Sequence, residues 1–340
     1  MKAGIIESPG VLKLTNLKEP VIENEDDVIV KIKRAGICGT DIHILHGTNP
    51  FASYPRIWGH EFTGEVIETG KAVTNTAAGD RVVIEPVLSC GECYACRNGR
   101  NNVCVSLRVL GVHTDGGCRE YVCISAKNLH KLPGNISWDE AVLIEPFTIG
   151  AQTCMRGDVK ENDIVLILGA GPIGLTVLSM VKLHGATAVI TDIVNEKLEY
   201  ALETGADYII NAQSENVAGK VMEITGGMGA NVTVDAVCTA KSFEEAVLIT
   251  SAAGRVVELG FVNEISGIAA VNVTKKELTI CGSRLQTGRF PVVIDLMSQG
   301  KLKTDGFITA SYPLAEMSEA FSFIERSGGR ARKVIINIDD

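Results

Sequence analysis

Two short clusters carry residues able to do chemistry: Cys38-Gly-Thr-Asp-Ile-His43 and Gly59-His60-Glu61. Together they offer a thiolate, an imidazole and a carboxylate, with the Thr40 hydroxyl and the His43 imidazole close behind. Zinc accepts this mixture of S, N and O ligands, and a site left one ligand short can act on a bound hydroxyl. Each cluster alone is weak, because the same residues also serve in ordinary loops and cores. A further acid, Glu145, precedes Pro146 in an otherwise apolar stretch. An unpaired buried carboxylate is costly, so Glu145 reads either as a helix-end acid facing solvent or as a ligand or near-ligand of the same metal.

A second constellation is more specific. Cys90, Cys93, Cys96 and Cys104 follow the spacing C-x2-C-x2-C-x7-C. Four thiolates so close in the chain can close tetrahedrally around one zinc and leave no open position. Gly91, Asn98 and Gly99 supply a backbone flexible enough to wrap it. An iron–sulfur cluster or free thiols are the alternatives, but the further short step and proline of ferredoxin spacing are missing.

The third constellation binds a dinucleotide. Ile164-Val-Leu-Ile-Leu168 is a buried-strand run that feeds Gly169-Ala-Gly171-Pro172-Ile173-Gly174 and then an apolar helix to about His184. The next strand, Ala188 to Asp192, ends in an acid 21 residues after Gly171. Glycines let the backbone approach a pyrophosphate, and the helix N-terminus supplies amide donors. Asp192 can accept bonds from a free ribose hydroxyl and would repel a 2′-phosphate. No Arg follows it closely, and Lys197 is the nearest cation on its C-terminal side. NAD is therefore expected over NADP.

Larger elements must position these groups. The 340 residues suggest two domains, and 46 % hydrophobic with 21 % charged residues describes a soluble globular chain. The net charge of -9 argues against general nucleic-acid binding. Met1 to Glu7 meets an acid before any signal-like apolar stretch, and glycines and a proline break the apolar run from Ile164 to Val181. No targeting or membrane segment is expected. Ten cysteines, four of them clustered, favour metal binding in a reducing cytoplasm over disulfides.

The first 130 or so residues read as short strands and turns, making a β-rich, partly open barrel. Ser137-Trp-Asp-Glu140 is a capping box opening a helix that contains Ala141 to Ile144. From Asp163 strands and helices alternate. Expected strands at 208–210, 232–237, 255–259 and 278–281 bring the total to six, enough for a doubly wound parallel sheet. A helix from Val292 to Gln299 and a strand from Val334 to Ile338 carry no cofactor signature and are expected to complete the first domain.

The two ligand clusters, the four-cysteine lobe, Glu145-Pro146 and the glycine motif occur in one order along the whole chain. In this the sequence resembles the zinc-containing medium-chain alcohol and polyol dehydrogenases. The resemblance implies an α/β chain with a chaperonin-10-like (GroES-like) β-rich catalytic domain at 1–146 plus 290–340, and a structural zinc lobe at 88–106. It further implies an inserted NAD-binding Rossmann domain at 147–289, a cleft between the domains, and a homo-oligomer, commonly a dimer or tetramer.

Roles follow from the same resemblance. Cys38 and His60 match catalytic zinc ligands, and Glu61 matches a carboxylate that ligates or approaches the metal. Glu145 stands where many relatives have a cysteine ligand, so it either ligates zinc or hydrogen-bonds a bound water. Asp41 matches an acid that orients the histidine. Thr40 and His43 match a proton relay that runs from the substrate hydroxyl toward solvent by way of the cofactor ribose. Local strings at 49–56, 111–117 and 144–149 look most similar to bacterial sugar-acid 5-dehydrogenases. L-gulonate oxidation to D-fructuronate is the specific expectation, with L-galactonate and L-idonate beside it. Arg284, His113, Arg56 and Arg119 are candidates to hold the substrate carboxylate, Arg284 first because it follows the sixth strand. A neutral polyol or L-threonine dehydrogenase shares every motif. A non-catalytic nucleotide sensor on the same fold is the alternative from another class.

Overall fold

A computed structural model describes residues 1–339. The chain divides into two compact units, one formed by Met1–Glu145 with the stretch from Phe290 onward, the other by Pro146–Arg289. No helix of the described residues is long and apolar enough to cross a membrane.

The first unit is built on the long strand Asp27–Ile37. Its β-branched residues at 28, 29, 30 and 32 are all buried, so both faces of the strand lie in core. It pairs antiparallel with Glu61–Thr69, Tyr121–Ser125 and Lys333–Asn337 within a seven-stranded sheet. The register matters for the chemistry. Gly36 lies opposite Glu61 on one side and Ile335 on the other, while Ile37 faces Val334. The ends of three strands thus converge just before Cys38. Trp58 and Phe321, both fully buried, meet edge to face at 5.0 Å in the core of this unit.

The Ser137 capping box forms as the sequence predicts: the Ser137 hydroxyl accepts from the Glu140 amide, and Glu140 reaches back to Ser137. The helix it opens is shorter than expected, ending at Val142. A second helix starts at Ile144 and runs to Arg156, so Glu145 sits in a first turn. Pro146 explains the break, because proline is tolerated in a first turn and not deeper in a helix. Glu145 is 4 % exposed, which removes the solvent-facing reading.

The second unit is a six-stranded parallel sheet. Its spatial order is Tyr208–Asn211, Thr187–Asp192, Ile164–Leu168, Ala230–Asp235, Thr250–Glu258, Thr279–Gly282. In strand number within the unit this is 3-2-1-4-5-6, the order of dinucleotide-binding sheets. The fifth strand begins five residues earlier than predicted, and a register shift against its neighbour accommodates Ala253 at φ 56°.

Asp235 and Glu258 end two adjacent strands in register. Burial and the Asp235 carboxylate push the Glu258 carboxyl up to about 7 from an ordinary 4.5. Between those two pH values the unfolded chain ionises at this position while the folded chain keeps its proton. Stability therefore falls across that window and levels off above it. Solvent screening at this half-buried site leaves an effect of about 1–2 kcal/mol. Glu258→Gln is expected to raise the denaturation midpoint at pH 8 and leave it nearly unchanged at pH 4.5. A gain equal at both pH values would show that charge is not the cause.

Candidate metal and dinucleotide sites

The four-cysteine lobe tests directly whether zinc fits. Neighbouring Sγ atoms lie 3.4 Å (Cys90–Cys104), 3.5 Å (Cys93–Cys96) and 3.9 Å (Cys93–Cys104) apart. Four sulfurs at zinc-bond length around one centre would be about 3.8 Å apart, whereas a disulfide would bring a pair to about 2.0 Å. Amides of Cys90 and Ser106 donate to Cys104 Sγ at 3.3 Å. Amides of Cys96 and Val105 hold the Cys93 thiol down to about 6, favouring the thiolate. The lobe is preformed for a closed metal site.

The second donor group is built differently. Cys38, His60 and Glu61 offer ligand atoms within 4.8 Å of one another. Cys38 precedes the helix Gly39–Leu45, a helix the motif reading did not anticipate. Asp41, fully buried in its first turn, accepts from the Cys38 amide at 2.9 Å and from the Gly59 amide at 3.3 Å. One carboxylate thereby ties both ligand clusters together. Its Oδ1 is 3.7 Å from His60 Nδ1, a buried nitrogen with no hydrogen-bond partner among the described residues. Burial works against a charged His60, yet Asp41, the Cys38 thiolate and Glu145 together raise its pKa well above the ordinary value. A centre this rich in anions attracts a cation.

Glu145 lies outside the tight donor group but within its electrostatic reach. Burial and the charge of Glu61 push its carboxyl up to about 7. Thr40 and His43 share a face of the Gly39–Leu45 helix, three residues apart. His43 is exposed, and its Nδ1 is 3.1 Å from Thr48 Oγ1.

In the second unit the glycine motif takes its expected form. Gly169 has φ 96°, and a Cβ on Gly174 would stand 1.9 Å from the Gly169 carbonyl. Both positions therefore need glycine. Nothing lies within 4 Å of a Cβ built on Gly171, so the ground before the Pro172–Leu183 helix is open to a pyrophosphate. Pro172 is the first residue of that helix and Ile173 the second.

The family model described as "Alcohol dehydrogenase GroES-like domain" matches residues 24–134, and that described as "Zinc-binding dehydrogenase" matches 172–299. The chain belongs to the zinc-containing medium-chain alcohol and polyol dehydrogenases. It is 41 % identical to the starvation-sensing protein RspB of Escherichia coli K12, over 100 % of both chains. It is 34 % identical to the L-galactonate-5-dehydrogenase of the same organism, over 89 % of each. A crystal structure of an alcohol dehydrogenase (rspB) from E. coli CFT073, complexed with NADH, superposes with a TM-score of 0.94 at 40 % identity, covering 99 % of both chains.

As a member of this family the chain is an NAD-dependent oxidoreductase of CH–OH groups that uses zinc. Asp192 does more in the structure than its expected contact with a ribose. Its Oδ2 accepts from the Ala170 amide at 2.9 Å, and Oδ1 accepts from Ile193 and Val194 at 2.8 and 3.0 Å. Lys197 Nζ stands 3.5 Å from the same carboxylate. The acid therefore anchors the glycine loop. Asp192→Ala is expected to weaken NAD about tenfold or more, and NADP less. Cofactor titration by fluorescence measures this, and equal losses for both cofactors would show that the charge does not discriminate.

The four cationic candidates lie in different surroundings. Arg56 Nη1 donates to Asp115 at 2.9 Å and Nη2 to Ser53 at 2.7 Å. Arg119 is half-buried; burial lowers its pKa, and the Asp115 charge works against that. His113 Nδ1 accepts from the Val109 amide at 3.1 Å. Arg56 and His113 are thus engaged within the first unit. Arg284, in the second unit, lies over the Phe261 ring at 4.7 Å.

One residue of the first unit was missed. Lys333, 3 % exposed, donates to both Glu61 oxygens at 2.7 and 2.6 Å. Sequence reading began the last strand at Val334. Only the contrast of a lysine entering an otherwise apolar strand marked it.

Proposed function

We propose that this chain oxidises a secondary alcohol of a sugar acid with NAD, with L-gulonate to D-fructuronate as the specific reaction. The observation that carries the chemistry is the grouping of half-buried Cys38 with buried His60 and Glu61 beside the helix that holds Thr40 and His43. The 34 % identity to an L-galactonate-5-dehydrogenase supports the substrate class.

In this reading Cys38 and His60 hold the catalytic zinc, with Glu61 and Glu145 as the carboxylates at its side. Cys90, Cys93, Cys96 and Cys104 hold the structural zinc. Bound there, the catalytic metal would supply Lewis acidity toward the substrate oxygen, and bound NAD would supply the hydride acceptor. Thr40 Oγ1 takes the hydroxyl proton as it passes its own to the relay, and His43 delivers that proton to solvent. The carbinol C–H pair leaves as hydride, and the carbon closes to a carbonyl. Gly169, Gly171, Pro172, Ile173 and Gly174 cradle the pyrophosphate. Asp192 and Lys197 border the ribose, and Arg284 is the candidate for the substrate carboxylate.

The chain acts in this reading as a homodimer or homotetramer. The strand Thr279–Gly282 pairs on one side only among the described residues, and Ile280 is 37 % exposed. An unpaired edge of this kind invites a second copy.

NADH formation by zinc-replete protein tests the substrate class. Activity on L-gulonate, L-galactonate or L-idonate, and not on sorbitol or L-threonine, supports it. Turnover of sorbitol or L-threonine in preference to every aldonate would replace the sugar acid by a neutral polyol or amino alcohol.

A further inference from the structure

Asp235 and Glu258 end the fourth and fifth strands of the parallel sheet side by side, at the carboxyl edge where a sheet of this order receives its ligand. Both oxygens of Asp235 are served by donors. Oδ1 accepts from the amides of Val237 and Cys238, each at 3.0 Å, and Oδ2 from the Ser242 hydroxyl at 2.7 Å. Glu258 is served on one side only. Its Oε1 accepts from the Gly260 amide at 2.5 Å, while Oε2 is buried and meets no donor among the described residues. Two carboxyl groups share a hydrogen bond only through a proton. Asp235 is saturated with donors, so the proton belongs on Glu258, whose carboxyl bonds to Asp235.

The other charged groups around the pair are few. Cys238 in the adjoining turn and Glu245 on the helix Ala240–Ile249 are both pushed toward their neutral forms, by burial first and then by acids that include Asp235, while Lys241 draws Glu245 back. Glu264 accepts from the Ala240 amide at 3.1 Å. From the sixth strand, the Ser283 amide donates to the Glu258 carbonyl at 2.9 Å, and Arg284 lies over the Phe261 ring. Arg156 Nε donates to the Gly282 carbonyl at 3.1 Å.

The turn that Asp235 holds is also a wall of the glycine motif. The Ala236 amide donates to the Leu168 carbonyl at 2.9 Å, and a Cβ on Gly169 would meet Val237 Cγ2 at 3.2 Å. Cys238 takes φ 65°, a left-handed conformation that few non-glycine residues adopt, and the bond from its amide to Asp235 helps to hold it there. Without the shared proton, two negative charges would lie side by side on adjacent strands. Asp235 would have to yield, and its grip on the Val237 and Cys238 amides beside Gly169 would slacken.

We propose that Glu258 is a positioning residue of the dinucleotide site. Through its proton it braces Asp235 and the turn at 236–238 against the glycine motif, so that a dinucleotide binds more tightly while the pair keeps that proton. The inference rests on the reading that the motif at 169–174 receives the pyrophosphate. Binding and protonation then favour one another, and reciprocity requires that the ligand draw a proton onto the protein.

ADP-ribose carries the pyrophosphate without the nicotinamide charge and serves as the probe. Titrated by calorimetry into zinc-replete protein, it is expected to bind about fivefold more tightly at pH 6 than at pH 8.5, because the Glu258 proton is lost near pH 7. Near pH 7, titrations in buffers of different ionisation enthalpy should show uptake of a fraction of a proton. Glu258→Gln keeps a donor toward Asp235 and cannot ionise. It should bind alike at both pH values, near the affinity of the unaltered chain at pH 6, with no proton uptake. Asp235→Asn removes the charge that keeps the proton on Glu258, and its binding should lose the pH dependence as well.

A pH dependence that persists undiminished in Glu258→Gln would overturn the proposal, as would equal affinities of the unaltered chain at both pH values. Equally weak binding by Glu258→Gln at both would also overturn it, since the residue would then support the fold without the proton mattering. Should Glu258→Gln fail to fold, Asp235→Asn decides by the same comparison. An unaltered chain that binds no ADP-ribose at either pH would overturn the dinucleotide reading itself and this inference with it. That outcome is distinct from the others because it appears before any substitution.

Discussion

Cys38→Ala is expected to lower the zinc content from two per chain to one and to reduce kcat/KM by at least about three orders of magnitude, roughly 4 kcal/mol of transition-state stabilisation. The fold should survive. The start of the Gly39–Leu45 helix is tied by the Cys38 amide to Asp41, a bond made by backbone and not by Sγ. Asp41 also holds the Gly59 amide, so His60 keeps its place when the sulfur is gone. Metal analysis and circular dichroism on the same sample separate loss of the centre from loss of the fold. Two zinc per chain with undiminished turnover would remove Cys38 from the chemistry.

Thr40→Val is expected to lower kcat by about 10²–10⁴-fold, the range for a positioned proton-transfer group. Valine matches threonine in shape and lacks only the hydroxyl, so metal content and cofactor affinity should hold. Thr40→Ser should recover much of the rate, since serine restores the oxygen at the same position. His43 stands one helical turn further on and is exposed, with its ring beside Thr48. His43→Ala should therefore cost less than Thr40→Val and be partly rescued by added imidazole, because solvent buffer reaches that end of the relay. Equal losses in kcat and metal content for Thr40→Val would mean that the residue supports the site and does not carry a proton.

Which features the sequence disclosed depended on how far apart the partners lie. The four-cysteine lobe and the glycine motif are local: their residues are neighbours in the chain, and their geometry follows from spacing and from the need for glycine at 169 and 174. The six parallel strands were legible because each is a short apolar run between turn residues. The first unit was harder. Its central strand pairs with Tyr121–Ser125 and with Lys333–Asn337, both far from it in the chain, and no local pattern states the register. The Glu61–Lys333 pair joins residues 272 apart in sequence. Glu61 alone reads as a ligand, and only the strand ends show that a lysine already holds it. Glu145 was similarly ambiguous, because the break in the helix at Leu143 decides that it points into protein. Asp192 was recognised for its charge, while its hold on the Ala170, Ile193 and Val194 amides needed the loop in place.

These partners also explain why the substrate pocket is the least determined part. Arg56 and His113 look like anion receptors by type, yet Asp115 and a backbone amide already engage them. Residue type proposes such roles, and neighbours dispose of them.

The central claim is that a zinc held by Cys38 and His60 enables NAD-dependent oxidation of a sugar acid. The direct measurement is NADH formation from L-gulonate by the protein as isolated, after removal of metal by a chelator, and after zinc is restored. Activity should vanish when the zinc of the Cys38 and His60 centre is lost, while the four-cysteine zinc is retained, and should return as that one equivalent is added back. NADH formation that continues at full rate in the stripped protein would contradict the account.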